Sequence, residues 1–516
     1  MNKKSILIKS LLGIATGFLL IVSFPKADLW FCAWVSFIPL LISLKNTDYK
    51  QSFFIGFFSG FAACLGIFYW IVVAIVTDGN SIFLGLAGLG ALSAYMALYY
   101  GIFAMLFSWG TNQNFSYVLP FYGACLWVVL EYIRMYLFTG FPWLLLGYSQ
   151  WQVISVIHIA RFGGVYIISF LIMWGNIVLF QLMHKKNYMK PKYMFQFLTC
   201  AVCIALIAVY GKISAGKIQN DLLRSDTKSV SFSLLQGNID QYRKWDETYE
   251  KDIYESYQSL TWNAVLNNPE LIIWPETSFP GFFEEREKRS WLNNLVKSSK
   301  TFHLVSAASV VKNKYYNSAF LLDPAAKLAG KYNKKHLVLF GEKVPFAGIL
   351  GKFIKVLNDL GGFNEGQGKT IIPYTNGNEI RILGVSICFE AIFPGLIRQS
   401  VKDGAQVLIN LTNDAWYLKS AAGYQHLIMN VFRAVENNRY LLRCANTGIS
   451  AVIDPTGRIV SQTKLFERTF LPSTCSLNTS VTFYTKRGDI FVWVCLIFLA
   501  ALCIFNIKSA KRIFFD

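Results

Sequence analysis

Long apolar stretches fill the first 211 residues of the chain and return near its end. They lie at about 11–25, 28–44, 53–76, 81–108, 117–137, 163–183, 194–211 and 489–506. An α-helix needs about 20 apolar residues to cross the hydrocarbon core of a bilayer, and all but the first two stretches are near or above that length. The sequence therefore predicts about eight transmembrane helices, with the short first two able to form a tight hairpin.

The composition and the placement of positive charge agree with a membrane protein. Hydrophobic residues make up 54% of the 516 residues and charged residues only 15%, which is too apolar for an ordinary soluble protein. The net charge of +19 does not form one long basic patch, so nucleic acid is not an expected partner. If eight helices alternate across the bilayer, the flanking basic clusters fall on one side, and both termini are predicted to be cytoplasmic. These clusters are Lys3, Lys4 and Lys9; Lys45 and Lys50; Lys185, Lys186, Lys190 and Lys192; and Lys508, Lys511 and Arg512.

The segment between the seventh and eighth apolar stretches has the composition of a folded α/β domain. Alternation of β-branched residues recurs in ELIIWPE, FHLVSAASVV, IRILGVSICFE and AQVLINLT, with helical spacing between such stretches. Its roughly 275 residues are enough for a large layered core. The predicted division is residues 1–211 as a bundle of about seven transmembrane helices, 212–487 as an outward-facing domain, and 488–516 as a last transmembrane helix with a cytoplasmic tail. In a bacterium the outward-facing domain would be periplasmic, and the membrane would be the inner membrane.

One cysteine of this domain stands where a nucleophile could be held. Cys388 ends the apolar part of GVSICFEAIF and is followed by Glu390 and the turn-forming Pro394 and Gly395. A thiol at such a corner can face a cleft with backbone N–H groups behind it, as an attacking sulfur and an oxyanion hole require. The competing interpretation is a buried core thiol, since unpaired cysteine usually behaves as a small hydrophobe. The 10 cysteines show no disulfide framework and no CxxC metal spacing.

Acyl chemistry at a thiol needs a base and a nearby cation, because an ordinary cysteine pKa of about 8.5 leaves the thiol mostly protonated at neutral pH. Glu276 ends the strand-like part of LIIWPETSFP, and Lys334 lies among aromatic and apolar residues in KYNKKHLVLFGE. These two are the candidates, although each alone would usually be a solvated surface charge. A Cys–His pair with His336 or His426 is the rival arrangement, but neither histidine has an evident acidic residue to orient it.

These pieces, in this order, closely resemble the nitrilase superfamily, whose Glu-Lys-Cys triads lie on an αββα sandwich. The matching motifs are PET (275–277), YNKKHL (332–337), CFE (388–390) and RAVENNRY (433–440). With the apolar stretches added, the whole chain resembles the apolipoprotein N-acyltransferase family, a membrane-embedded branch of that superfamily. Further matches are GFPWLLLGYSQ, QGNI and KW ending at Trp245, HLVLFGE, NLTNDAW ending at Trp416, and YTKRGD. Leu339 and Phe389 depart from the proline and tyrosine that are usual in the family, and neither departure removes a triad member.

The resemblance implies that residues 212–487 catalyse a two-step acyl transfer. Cys388, deprotonated by Glu276, would take an acyl chain from a phospholipid as a thioester, while Lys334 and the Phe389 backbone N–H hold the oxyanion. The N-terminal S-diacylglyceryl cysteine of a lipoprotein would then accept the chain, which is the final step of lipoprotein maturation. The resemblance implies supporting roles for Glu342 and Glu390, and it implies no metal and no organic cofactor. Substrate contacts are predicted for Trp245, Trp416, Trp143 and Tyr148.

Two other functions remain open at this point. A membrane-anchored amidase acting on a small amide would use the same triad with water as acceptor, but it leaves the many predicted spans unexplained. A non-enzymatic lipid-binding or transport protein would place ionisable residues in several spans, whereas Glu131 and Arg134 are almost alone there. That pair is either an interfacial salt bridge or a substrate contact. Residues 346–366 and 276–290 are the candidate lid loops.

Overall fold

The computed structural model describes residues 3–113, 117–183, 190–224, 228–240, 244, 247–339, 341–343 and 362–513. The chain divides into two compact units. The first contains Met1–Gly216, Ser420–Ile428 and Arg487–Asp516, and the second contains Lys217–Lys419 and Met429–Lys486. The domain boundaries predicted at 211/212 and 487/488 remain predictions of where the polypeptide leaves the membrane.

The first unit is helical, and helices also flank the sheets of the second. In chain order the α-helices are α1 (Lys3–Val22), α2 (Ile38–Ser43), α3 (Tyr49–Ile67), α4 (Trp70–Thr77), α5 (Ile82–Asn112), α6 (Leu119–Tyr136), α7 (Ile154–Ile157), α8 (Ala160–Gly163), α9 (Val165–Met183), α10 (Pro191–Leu222), α11 (Glu250–Val265), α12 (Arg286–Ser299), α13 (Pro394–Lys402), α14 (Ala422–Asn437), α15 (Phe483–Arg487) and α16 (Ile490–Ile513).

Five helices among the described residues are long and apolar enough to cross a membrane, which fits a membrane protein. They are Tyr49–Ile67, Ile82–Asn112, Leu119–Thr139, Val165–Met183 and Pro191–Leu222. The predicted count of eight is not confirmed. The stretch at 28–44 forms a short 3-10 helix, Trp30–Trp34, followed by α2, and the stretch at 53–76 breaks between α3 and α4. Hydropathy alone does not reveal such breaks, because the residues at them are as apolar as the helices that they separate.

The segment that follows α6 is irregular; it is exposed at Leu137–Thr139 and mostly buried from Gly140 to Gln150. It contains two 3-10 turns, Leu137–Thr139 and Leu146–Gln150, and no α-helix between them. The Glu131 Oε1 accepts hydrogen bonds from the Leu146 backbone N–H at 2.7 Å and from Trp127 Nε1 at 3.1 Å. The Arg134 Nη2 donates to the Trp143 carbonyl oxygen at 3.4 Å. Both charged side chains therefore bind this irregular backbone, whose polar groups need such partners away from water.

The second unit contains two six-stranded sheets. Their strands are β1 (Ser229–Gln236), β2 (Leu271–Ile273), β3 (Phe302–Val311), β4 (Lys314–Leu322), β5 (Leu328–Asn333), β6 (Ile371–Asn376), β7 (Glu379–Ile387), β8 (Val407–Thr412), β9 (Leu441–Ala445), β10 (Ala451–Ile453), β11 (Ile459–Gln462) and β12 (Thr469–Ser476). The order is β12-β1-β2-β3-β4-β5 in one sheet and β11-β10-β9-β8-β7-β6 in the other. Strands β1, β2 and β3 run parallel, as do β7, β8 and β9, and the remaining neighbours are antiparallel.

Alternation along the strands builds the layers of this unit. On β2, Ile273 packs into a core shared with Val385 and Ile409 of the other sheet, whereas its neighbour Ile272 packs against α11 and α12. On the opposite side α13 packs on β7 at Gly384, where a Cβ would lie only 3.2 Å from that of Ser400 in α13. The predicted αββα sandwich is confirmed. Each buried Leu, Ile or Val contributes about 1.5–3 kcal/mol relative to exposure, so the shared core is what holds the sheets together.

Candidate active site

Cys388 stands at a sharp corner directly after β7. Strands β7 and β8 run parallel with Ile387 opposite Leu411, so Cys388 leaves the sheet at the same edge as the residues after Thr412. The Cys388 backbone has a φ of +52°, a left-handed conformation that is uncommon for a residue with a side chain. The Asn410 Nδ2 donates to the Cys388 carbonyl oxygen at 3.1 Å and holds the corner. Strain of this kind persists only where the surroundings enforce it, and it concentrates at functional sites.

Glu390 fastens this corner to the end of β5. Its buried carboxylate accepts hydrogen bonds from the Ile387 N–H at 2.7 Å, the Lys335 N–H at 2.6 Å and the His336 N–H at 3.0 Å. The Tyr332 hydroxyl lies 2.7 Å and 2.8 Å from its two oxygens. Burial raises the pKa of Glu390, and the hydrogen bonds from Ile387, Tyr332 and His336 oppose that rise. The predicted bracing role of Glu390 is what this geometry favours.

Lys334 lies between two carboxylates. Its Nζ is 3.1 Å from Glu276 Oε1 and 2.8 Å from Glu342 Oε1. The Asn317 Nδ2 donates to the same two oxygens, at 2.8 Å and 3.1 Å. The Val338 N–H donates to the other Glu342 oxygen at 2.9 Å. Glu276 and Lys334 are buried and Glu342 is half-buried, so the cluster forms a largely desolvated set of alternating charges.

The charges of this cluster act on the thiol. Burial raises the pKa of Cys388, and the carboxylate of Glu276 raises it further, whereas Lys334 and a hydrogen bond with Thr412 oppose the rise. Burial alone would lower the pKa of Lys334, but the charges of Glu276 and Glu342 outweigh it and hold this pKa well above its ordinary value. The resting thiol is therefore protonated and the lysine is charged. A base must remove the thiol proton at the moment of attack.

A second lysine lies at the same site, and sequence reasoning missed it. Lys244 is buried, and its Nζ donates to the Glu276 carbonyl oxygen at 2.9 Å and to Thr277 Oγ1 at 2.5 Å. Thr277 has a φ of +42°, so this lysine spans a strained turn directly after Glu276. Burial lowers the pKa of Lys244 to about 8, against the opposing charges of Glu276 and Cys388. The only feature of the sequence that could have indicated Lys244 is its position directly before Trp245 in the KW motif.

Residues after β8 complete the surroundings of the sulfur. Arg443 donates to Asp414 Oδ2 at 2.5 Å and to Asn410 Oδ1 at 3.1 Å, and Asn410 in turn holds the Cys388 carbonyl. Burial raises the pKa of Tyr417 well above its ordinary value, and the negative charges of Cys388 and Asp414 add to that rise. Tyr417 is therefore a neutral phenol near the thiol. Its signal in the sequence was its position directly after Trp416.

The two histidines of the rival arrangement have other surroundings. The His336 ring packs at a tilt against that of Phe393 with centroids 3.8 Å apart, and burial lowers the pKa of His336 to about 4, so it is neutral at pH 7. The His426 ring lies 5.5 Å from that of Trp143 in the helical unit. The charged groups that act electrostatically on the Cys388 thiol include Glu276 and Lys334, the two residues proposed from the sequence.

The predicted substrate contacts fall in different places. Trp416 is half-buried in the second unit, and Phe389 is buried against Phe393 with ring centroids 5.3 Å apart. Trp143 and Tyr148 are buried inside the helical unit, where Trp143 donates to Gln425 Oε1 at 2.9 Å. Trp245 and most of the 346–366 lid candidate lie outside the described residues. Within the described part of the chain, no group of three or more His, Cys, Asp or Glu side chains is placed to hold a metal ion.

Comparisons with known proteins agree with both units. Residues 16–178 match the family described as apolipoprotein N-acyltransferase N-terminal domain, and residues 233–482 match carbon-nitrogen hydrolase. The apolipoprotein N-acyltransferase of Geobacter metallireducens is 37% identical over 493 residues, covering 94% of this chain and 93% of that protein. That of Haemophilus influenzae is 32% identical over 505 residues, covering 93% and 91%. The chain belongs to the apolipoprotein N-acyltransferase family.

Proposed function

We propose that this enzyme transfers a fatty acyl chain from a membrane phospholipid to the N-terminal S-diacylglyceryl cysteine of apolipoproteins, through a thioester on Cys388. The relatives are named for N-acylation of apolipoproteins, and the carbon-nitrogen hydrolase match fits a cysteine acyl-enzyme. The observation that carries the assignment of residues is the buried Lys334, held by Glu276 and Glu342 and acting electrostatically on a cysteine in a strained corner.

In the first half-reaction the sulfur of Cys388 attacks the ester carbonyl of the phospholipid. Glu276 takes the thiol proton as the S–C bond forms, because burial makes a free thiolate unfavourable in the resting site. Lys334 and the Phe389 backbone N–H stabilise the oxyanion; loss of one such donor typically costs about 3 kcal/mol of transition-state stabilisation. The proton then passes from Glu276 to the departing alkoxide, which leaves as a lysophospholipid.

In the second half-reaction the α-amino group of the lipoprotein cysteine attacks the thioester. A thioester keeps enough reactivity to form an amide without ATP. Glu276 accepts the proton that the amine releases, the amide forms, and the sulfur of Cys388 leaves and is protonated again. Glu342 supports this step by fixing Lys334 and Asn317. The enzyme uses no metal and no organic cofactor in this scheme.

Both substrates are anchored in the bilayer, and this accounts for the joining of a sandwich domain to membrane-spanning helices. We place the catalytic domain in the periplasm and both termini in the cytoplasm of a bacterial inner membrane, in line with the basic clusters. We assign substrate contacts to Trp416 and Trp245, and to the buried Trp143 and Tyr148 we assign the positioning of the segment on which they lie.

Intact-protein mass spectrometry tests the acyl-enzyme. Detergent-purified enzyme is incubated with phospholipid beside Cys388→Ala, and beside Cys475→Ala as a matched control for loss of a different buried thiol in the same unit. The expected result is a hydroxylamine-labile adduct of fatty-acyl mass on the wild type and on Cys475→Ala, and none on Cys388→Ala. Absence of the adduct together with Cys388-dependent hydrolysis of a small amide would instead establish a membrane-anchored amidase.

A further inference from the structure

Lys244 has no part in the Glu-Lys-Cys scheme, yet it lies inside the same cluster of charges. It is only 5% exposed, and two acceptors of the turn after β2 bind its ammonium: the Glu276 carbonyl oxygen at 2.9 Å and Thr277 Oγ1 at 2.5 Å. The Thr277 N–H donates to Ser306 Oγ at 3.0 Å, so the turn is fixed from two sides. A buried lysine of this kind needs such partners, because an isolated ammonium is costly to remove from water.

Lys244 is also electrostatically coupled to the reacting groups. The charges of Glu276 and Cys388 both act on its ammonium. Lys334 in turn binds the Glu276 carboxylate through Oε1. A positive charge near a thiol favours the thiolate, and one that binds the backbone beside a carboxylate fixes that carboxylate in place.

We propose that Lys244 is a positioning residue that also supplies a second positive charge to the active site. It holds the turn that presents Glu276, and its ammonium stabilises the negative charge that develops on Cys388 during acylation. This inference rests on the proposed function, since it concerns the same sulfur and the same first half-reaction. No covalent step involves Lys244, and its proton stays on Nζ throughout acylation.

The proposal implies a pH dependence that Lys334 cannot produce. Burial lowers the pKa of Lys244 to about 8, so this lysine loses its charge as the pH rises from about 7 to about 9. Lys334 stays charged in that range, because its pKa is held well above the ordinary value. Acyl-enzyme formation should therefore slow above about pH 8. An arginine at position 244 stays charged throughout and should remove the decline.

The first test measures single-turnover acyl-enzyme formation from pH 6 to 10 with phosphatidylglycerol in detergent micelles, whose phosphodiester stays anionic across this range. The variants are Lys244→Arg, Lys244→Met and Thr277→Val. The wild-type rate should fall above about pH 8, and the Lys244→Arg rate should not. Lys244→Met should be about tenfold slower than the wild type at pH 7, and its rate should show no further decline above pH 8. Thr277→Val removes one hydrogen bond and keeps the charge, so its decline should stay near pH 8. A decline retained in Lys244→Arg would refute the proposal.

A second test does not depend on the acyltransferase assignment. Iodoacetamide alkylation of Cys388 is followed by peptide mass spectrometry, with added glutathione as the reference thiol. Lys244→Met should alkylate Cys388 about tenfold more slowly than the wild type at pH 7, with the glutathione rate unchanged. If the wild type forms no acyl-enzyme but this effect is present, the proposed function fails and the role of Lys244 stands. An unchanged Cys388 rate in Lys244→Met overturns the role of Lys244 whatever the acylation assay shows.

Discussion

Replacing Glu390 by glutamine tests how much the corner depends on one buried carboxylate. The change is isosteric, but an amide nitrogen cannot accept a hydrogen bond. If the amide nitrogen took the place of Oε1, it would face the N–H donors of Lys335 and His336. If it took the place of Oε2, it would face only the N–H donor of Ile387. The Tyr332 hydroxyl can rotate to accept a hydrogen bond from the amide nitrogen in either position. Glutamine should therefore turn its nitrogen toward Ile387, leaving one buried N–H without an acceptor.

The cost can be bounded from these contacts. One unsatisfied buried donor costs about 1–3 kcal/mol, and each remaining bond loses about 1 kcal/mol when its acceptor is no longer charged. Relief of the burial that raises the pKa of Glu390 offsets part of this. A net loss of about 2 kcal/mol is expected, which lowers the thermal midpoint of a domain of this size by roughly 4–8 °C. Acyl-enzyme formation should fall more steeply, because the corner that holds Cys388 moves.

The assay pairs thermal unfolding with single-turnover acylation, and Glu365→Gln is the matched control. Glu365 makes an exposed ion pair with Lys343, and such surface pairs are worth at most about 1 kcal/mol. The control should change neither quantity appreciably. If Glu390→Gln retained both the wild-type midpoint and the wild-type acylation rate, the carboxylate would not be what holds the corner.

Three further predictions concern two residues of the site and one buried histidine of β3. Glu276→Gln should slow acyl-enzyme formation by about 100-fold or more, measured in a single turnover, because no other described carboxylate is assigned to the thiol proton; a loss below tenfold would contradict its role as base. Asn317→Asp places a negative charge beside Glu276 Oε1 and Glu342 Oε1, and the same assay should show at least a roughly tenfold loss; an unchanged rate would contradict the charge pattern. Burial lowers the pKa of His303 to about 3, whereas an ordinary histidine has a pKa of about 6.5. Below pH 6.5 the unfolded chain therefore binds more protons than the folded one, and the free energy of unfolding should fall by about 2 kcal/mol between pH 6.5 and 5. His303→Gln should make the thermal midpoint less sensitive to pH over that interval, and an equally steep dependence would refute the assignment.

The fold class could be predicted from the sequence because the residue pattern of each strand lies within a short stretch of the chain. Alternation on β2 sends Ile272 and Ile273 to different cores, and the pattern is visible in the letters ELIIWPE. The helix count could not be predicted in the same way. The break between α3 and α4 lies at Phe68 and Tyr69, two apolar residues that no composition window separates from their neighbours.

The site shows the same division between local and non-local information. Cys388 and Glu276 were predicted because each follows a strand-like run, and Lys334 was predicted because the chemistry of a thiol calls for a nearby cation; their catalytic roles stay predictions. Lys244 and Asn317 were not, since neither lies near a triad residue in sequence and only folding brings them to Glu276. Residues that act through another side chain leave little trace in spacing or composition.

The sum of the charges around the sulfur explains how a thiol with a raised pKa can still react. Glu276 and Glu342 carry two negative charges, and Lys334 and the mostly protonated Lys244 carry nearly two positive ones at pH 7, so the resting cluster is close to neutral. Loss of the thiol proton to solvent would add a net charge to a buried site, which is the costly event that the raised pKa of Cys388 reflects. Transfer of that proton to Glu276 moves a charge within the cluster without changing its total. Both lysines then face the negative charge in its new position. The arrangement therefore favours proton transfer that accompanies attack, and it protects the thiol from ionising when no substrate is bound.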